Sequence, residues 1–239
     1  MDPSGNLPGM PVRSLFFDFG GTLVHSRMDL LPPFREAARR ADVRLAFEEF
    51  RRANEAVWEE LWPNAPAMLG KQPSFADVVH ERALRRVGAE GSIERMVDCL
   101  REELLSPRWH EPFPETEPAL RAARSRGLRL HLVSNNIDYL PSILRNLGWS
   151  GLFDSVTFSQ EIGVSKPDPR IFRLALGRAG CAPEDAVHVG DSWEADYLGA
   201  TGVGMRAVWL NRTRVAPPGP CESITDLRGL GPLLSAGLA

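Results

Sequence analysis

The chain predicts a doubly wound α/β fold, with a parallel five-stranded sheet and an all-helical segment inserted after the first strand. Three observations carry this. The run Leu15-Phe16-Phe17-Asp18-Phe19-Gly20-Gly21-Thr22-Leu23 is an apolar stretch ending on a carboxylate and a glycine turn. That is the pattern of a buried strand whose carboxyl end opens onto a site. From Leu30 to about Leu105 the apolar residues have helical spacing only, whereas after Pro107 short apolar runs alternate with helix-length stretches. Such alternation implies βαβ units with right-handed crossovers.

In chain order, the first strand covers Val12–Phe17. Pro32 to Arg40 opens a helix, with proline in the first turn where its missing N–H has no helical partner anyway. Phe47, Phe50, Val57, Trp58 and Leu61 fall near i, i+3, i+4 on a second helix, Ala46–Trp62. The breakers Pro63, Pro66, Gly70 and Pro73 end it. Ser74 is placed to cap a third helix, Phe75–Val87, and Ser92 a fourth, Ile93–Leu105, where Arg95 rules out a capping box. The remaining strands are Leu128–Ser134, Ser155–Phe158, Ala186–Val189 and Met205–Leu210. The helices between them are Glu115–Arg126, Asp138–Leu147, Pro169–Ala179 and Trp193–Gly199. The organisation expected is a Rossmann-like core from residues 1–29 and 106–239 with a helical domain at 30–105. Met1 to Asn6 reads as a disordered leader, and Pro217 to Pro220 as a turn or linker.

At 239 residues the chain is long enough for a full core, and 43% hydrophobic with 25% charged residues is ordinary for a soluble protein. A net charge of −3 gives no reason to expect nucleic acid or an anionic membrane as partner. No stretch has the length of a membrane span, and the amino terminus lacks the features of a secretory signal. Cys99, Cys181 and Cys221 lie far apart without CxxC pairing, so neither zinc nor a disulfide framework is indicated. A cytoplasmic setting is the expectation.

Four segments bring chemistry to strand ends. Asp18 follows the first strand. Leu130-His131-Leu132-Val133-Ser134-Asn135-Asn136 ends a second apolar run on a hydroxyl and amides, which bind anions without adding charge. Gly163-Val164-Ser165-Lys166-Pro167-Asp168-Pro169 holds one of only two lysines, Lys71 and Lys166, among 28 basic residues. A compact ammonium kept against that bias suggests a place where a planar guanidinium does not fit. Val187-His188-Val189-Gly190-Asp191 ends another strand on an acid, and Asp196 follows on the opening turn of a helix. Asp18 and Asp191 on one rim form an oxygen-rich site suited to magnesium. The run Gly199 to Gly204 follows a helix and precedes a strand, so it reads as a helix end and turn, not a nucleotide loop. Trp58 and Trp62, at i, i+4, read as packing of the helical segment, with the cleft as their alternative exposure.

The order Asp18-x-x-x-Thr22, Ser134, Lys166, Gly190-Asp191-x-x-x-x-Asp196 resembles the haloacid dehalogenase-like (HAD) hydrolase superfamily over essentially the whole chain. Phe153-Asp154 and Lys166-Pro167-Asp168-Pro169 are similar to its phosphatase-like branch, and the helical insertion falls where that family carries a cap. The resemblance implies a magnesium-dependent phosphatase of a small phosphorylated metabolite. Asp18 would be the nucleophile that forms an aspartyl-phosphate. Thr22 and Ser134 would hold phosphoryl oxygens with Gly21 and Asn135 beside them, and Lys166 would steady the charge. The metal would take Asp18, Asp191, Asp196 (directly or through water) and the backbone carbonyl of Gly20.

Gly20 departs from the family pattern, which places an acid there to protonate the leaving group and activate water. General acid–base help is typically worth about 10²–10⁴-fold, most where the leaving group is poor. Three readings follow: a phosphatase short of its acid, with His25 as a candidate replacement donor; a phosphonatase-like C–P hydrolase using Lys71; or a weak binding or scaffold pseudo-enzyme.

Overall fold

The computed structural model describes residues 12–25 and 30–232, so the expected leader lies outside the described residues. Six parallel strands form one sheet: β1 (Ser14–Phe17), β2 (Arg129–Ser134), β3 (Ser155–Phe158), β4 (Ala186–Gly190), β5 (Arg206–Leu210) and β6 (Ser223–Ile224). Their order is β3-β2-β1-β4-β5-β6. β1 is central and fully buried, which is why it reads as the apolar run Leu15-Phe16-Phe17 after Ser14. Its side chains alternate between two packed layers. Leu15 and Phe17 join Leu130, Leu132, Val187, Leu120 and Ile143 on one side. Phe16 joins Val133, Ile171, Phe172 and Ala175 on the other.

The sheet has six strands where five are expected from the sequence. β6 is two residues long, joined to β5 by the Trp209 N–H to the Glu222 carbonyl (2.9 Å) and the Asn211 N–H to the Ile224 carbonyl (2.8 Å). Two residues carry no period, and only pairing with β5 makes them a strand. The segment Pro217 to Pro220 is irregular backbone that bends over 218–220 ahead of β6.

Helices α1 (Leu31–Ala41), α2 (Phe47–Leu61), α3 (Phe75–Arg86) and α4 (Ile93–Leu105) follow β1 in succession, with α1 against α4 and α3 against both α2 and α4. Ser74 and Asp77 form a full capping box on α3, while Ser92 caps α4 without one. Asp77 does more than cap. It also accepts from the Tyr139 hydroxyl (2.8 Å) and pairs with Arg101 (3.0 Å), tying the helical segment to the sheet's rim. Gln160 makes a second tie, donating to the Ala65 carbonyl (3.1 Å) and accepting from the Asp138 N–H (2.8 Å).

Helices α5 (Thr116–Ser125), α6 (Leu140–Asn146) and α7 (Pro169–Ala179) cover the sheet. The helix expected over Trp193–Gly199 departs from the ordinary form: Trp193–Leu198 is π-helical and runs into a short α8 (Gly199–Thr201). Both the Asp196 and Tyr197 N–H groups reach the Ser192 carbonyl (3.0 and 3.2 Å), which widens the turn. Among the described residues no helix is long and apolar enough to cross a membrane.

Candidate active site

The strand order reverses at β1, whose neighbours are β2 and β4, and a crevice opens at such a point beyond the strands' carboxyl ends. Phe17 is level with Leu132 and Val189, so Asp18, Ser134 and Asp191 emerge on the same rim. Lys166 arrives on the loop before α7, whose start is fixed by Pro169 and by the Asp168 side chain capping the Arg170 N–H.

Lys166 is the centre of the arrangement. Its Nζ donates to Asp18 Oδ1 and to Asp196 Oδ1, each at 2.6 Å, and the side chain is 2% exposed. His188 Nε2 also donates to Asp196 Oδ1 (2.9 Å), and the Ser192 N–H to Asp196 Oδ2 (3.1 Å). Both Asp196 oxygens are therefore engaged. Burial pushes the Asp18 carboxyl up to about 6 against the pull of Lys166, with Asp196 and Asp191 adding to the rise. Burial also opposes ionisation of Asp196, but Lys166 and His188 outweigh it and hold that carboxyl well below the usual range. Asp191 is raised by burial and by Asp196.

Carboxylate oxygens of Asp18, Asp191 and Asp196 lie within 4.8 Å of one another. Three carboxylates face one ammonium, so the cluster holds more negative charge than its lysine neutralises. The donors are all oxygen, the chemistry that suits a hard divalent cation, and these residues therefore fit magnesium.

Asp18, Gly20, Ser134, Asn135, Lys166, Asp191 and Asp196 line one cavity of 330 Å³. Two expected phosphate contacts take a different place. Thr22 is fully buried and does not line the cavity, and its hydroxyl donates to Asp191 Oδ1 (3.3 Å). The Gly21 N–H is used by the turn, bonding the Val24 carbonyl at 2.8 Å. Gly21 is required for another reason: with φ +80° its added Cβ would stand 2.2 Å from Asp191 Oδ2. Asn135 reaches the cavity, but its amide clasps the Lys166 backbone, donating to the carbonyl (3.1 Å) and accepting from the N–H (2.7 Å). Gly190 is needed for close approach too, since a Cβ there would lie 2.2 Å from Asp196 Cγ.

His25 lines the same cavity, its ring 4.0 Å from that of Phe113. Lys71 is exposed and lines neither this cavity nor the larger one beside it. Two residues went unread in the sequence. His110 lines both cavities and holds the Leu104 carbonyl through Nε2 (2.8 Å). Arg212 clamps the loop after β1, donating to the Gly21 carbonyl (3.1 Å), the Thr22 carbonyl (2.8 Å) and Glu115 (2.7 Å) while lying 3.4 Å over the Phe113 ring. Its partners are mostly backbone carbonyls, which leave no signature in a sequence. Arg212→Ala is expected to lower stability by about 2–3 kcal/mol, because bonds from a charged donor are lost together with the stacking. A urea unfolding midpoint equal to that of the wild type contradicts this role.

Comparison with known proteins agrees with the geometry. The model of the haloacid dehalogenase-like hydrolases matches residues 12–204. A phosphoserine phosphatase of Thermus thermophilus is 38% identical over 178 residues, covering 74% of this chain and 70% of that protein. Haloacid dehalogenase-like hydrolase domain-containing protein 3 of Mus musculus is 35% identical over 205 residues, covering 83% and 81%. Among solved structures, a 2-haloacid dehalogenase of Pseudomonas syringae pv. Tomato DC3000 superposes with a TM-score of 0.70 at 25% identity, over 95% of this chain and 100% of that one. On its matched sequence, its sheet order and the acids at its strand ends, the chain belongs to the haloacid dehalogenase-like hydrolases.

Proposed function

We propose that the protein is a magnesium-dependent phosphatase of a small phosphorylated metabolite that works through Asp18 without the usual general acid. The observation that carries this reading is the cluster of Asp18, Asp191 and Asp196, whose carboxylate oxygens lie within 4.8 Å of one another, with buried Lys166 bonded to Asp18 and Asp196. Such an acid-rich cluster favours a cation, and a cation favours transfer of a phosphoryl group, whose oxygens carry charge, over transfer of the uncharged carbon of a haloacid. The phosphatase name of the Thermus thermophilus relative points the same way.

Magnesium, held by Asp18, Asp191 and the Gly20 carbonyl, would neutralise charge on the phosphoryl oxygens. Asp196 would act through water, since both its oxygens are already bonded. Asp18 attacks phosphorus, the ester P–O bond breaks, and the alcohol departs with a proton. Water then cleaves the aspartyl-phosphate and returns the free carboxylate and inorganic phosphate. Lys166 holds the Asp18 carboxylate in place and offsets charge on the transferring group. Ser134 contacts a phosphoryl oxygen, Thr22 fixes Asp191, and Asn135 fixes Lys166. Gly20 leaves the alcohol's proton to His25, a side chain that lines the cavity, or to solvent.

Residues 30–105, seen as α1–α4, would serve as the cap that excludes water from the crevice. A cytoplasmic location fits the three free cysteines. The phosphonatase reading requires a lysine amine at the site, and the exposed Lys71 gives it no support.

The test is hydrolysis of p-nitrophenyl phosphate before and after chelation. EDTA abolishes turnover, added magnesium restores it, and acid-quenched mass spectrometry finds a phosphoryl mass on the peptide containing Asp18. Turnover that survives EDTA, or phosphorylation elsewhere in the chain, removes this reading.

A further inference from the structure

A second and larger cavity, of 730 Å³, adjoins the carboxylate cluster. It lies between α2 and α3 on one side and the loop after β2 on the other. His110, Asn135 and Asn136 line both cavities, so the two are continuous in their walls. Its volume is within the range of sites that enclose a whole organic molecule, and a three-carbon phosphate ester would leave most of it unfilled.

The lining is aromatic and specific. Trp58 and Trp62 are half-buried, stack at 5.7 Å with an interplanar angle of 16°, and both line the cavity. Phe75 meets them edge-on at 5.0 and 5.8 Å and fixes their planes. These tryptophans thus do two things at once: they pack the helical segment and they face the cleft.

Two polar side chains in the same wall each carry one unpartnered atom. Asn54 is 6% exposed and His80 3% exposed, and neither Asn54 Oδ1 nor His80 Nδ1 makes a hydrogen bond. Buried polar atoms are nearly always satisfied, so two orphaned atoms on side chains that line a cavity point to a ligand that supplies bonds once these side chains turn toward it. Burial pushes His80 down to about 4 against the pull of Asp77, so the imidazole is neutral and offers one donor and one acceptor. Among the described lining residues Glu59 is the one acid, and no lysine or arginine stands with it. A second anionic group on the substrate would find no counter-charge there.

We propose that the substrate is a nucleoside 5′-monophosphate, its base against Trp58 and Trp62, its base edge read by Asn54 and His80, and its phosphate at Asp18. This rests on the phosphatase reading above and extends it to the alcohol portion. A nucleobase combines what the wall asks for: a flat uncharged ring for the tryptophans and an edge bearing both donors and acceptors. The sugar hydroxyls would meet Ser165 and Asn136, which line this cavity, Asn136 lining the smaller one as well.

The test is calorimetric titration of the full chain in magnesium with UMP, AMP, phosphoserine and inorganic phosphate, alongside phosphate release from the three esters. At least one nucleotide is expected to bind about tenfold more tightly than phosphoserine, the scale of one base–aromatic stack. Trp62→Ala and Asn54→Asp should each weaken that nucleotide about tenfold more than they weaken inorganic phosphate. Trp62→Leu replaces Trp62→Ala if thermal unfolding shows the alanine variant misfolded. Phosphoserine binding as tightly as both nucleotides, or variants that weaken nucleotide and inorganic phosphate alike, overturns the proposal. Failure of the phosphatase reading looks different: nucleotide binds with this pattern, yet no ester releases phosphate.

Discussion

Asp18→Asn and Lys166→Met both abolish turnover, but they are expected to move stability in opposite directions. Lys166 is buried between two carboxylates at 2.6 Å each. Removing its charge while keeping its length leaves Asp18 and Asp196 facing each other without a counter-ion. Breaking a buried pair from one side typically costs about 3–5 kcal/mol, so a marked drop in the unfolding midpoint follows.

Asp18→Asn does the reverse. Burial and the neighbouring acids raise the Asp18 carboxyl to about 6 in the folded chain, above its unfolded value, so its ionised form works against folding at pH above 6. The neutral amide relieves that opposition, and the midpoint at pH 7.5 without magnesium stays level or rises. Magnesium should recover part of the stability lost in Lys166→Met, since a cation can take over the neutralisation. Circular dichroism melts in EDTA and in magnesium read all three outcomes. A Lys166→Met melt equal to wild type would mean that the lysine is not holding the cluster together.

Gly20→Asp is the second large effect, and it is a gain. Gly20 lines the cavity beside Asp18 and His25, so an acid there would face the departing alcohol. Turnover of an alkyl phosphate should rise by about 10²–10⁴-fold, the usual worth of general acid–base help. An aryl phosphate should change far less, because its leaving group needs no proton. If His25 is the substitute donor, His25→Gln slows the alkyl ester in the wild type and not in Gly20→Asp. Equal gains on both esters, or no gain on either, would show that the missing acid does not limit the reaction.

The strands that carry chemistry were legible in the sequence because their signals are local. β1, β2 and β4 are short apolar runs ending on Asp18, Ser134 and Asp191, and a strand buried on both faces writes its burial directly into consecutive residues. The same holds for Ser74, whose cap depends on a residue three positions away. Lys166 stood out by its rarity, and Gly20 by the acid it replaces.

Other features had no local trace. β6 exists because β5 lies beside it, and the π-helical turn at Trp193–Leu198 carries Asp196, whose partners Lys166 and His188 come from other segments. Arg212 clamps backbone carbonyls some 190 residues away in the chain, and any residue can supply a carbonyl. Thr22 and Gly21 sit on the loop after β1, and only the packed structure turns the hydroxyl toward Asp191 and uses the glycine N–H in the turn. Likewise, helical spacing brought Trp58 and Trp62 to one face, while the docking of α2 and α3 against the rim opened a cavity beside them. Which groups are delivered to the strand ends is local information, because short-range hydrophobic pattern and turn chemistry decide it. Tertiary structure alone decided what each group touches there, because those contacts join segments that no sequence period relates.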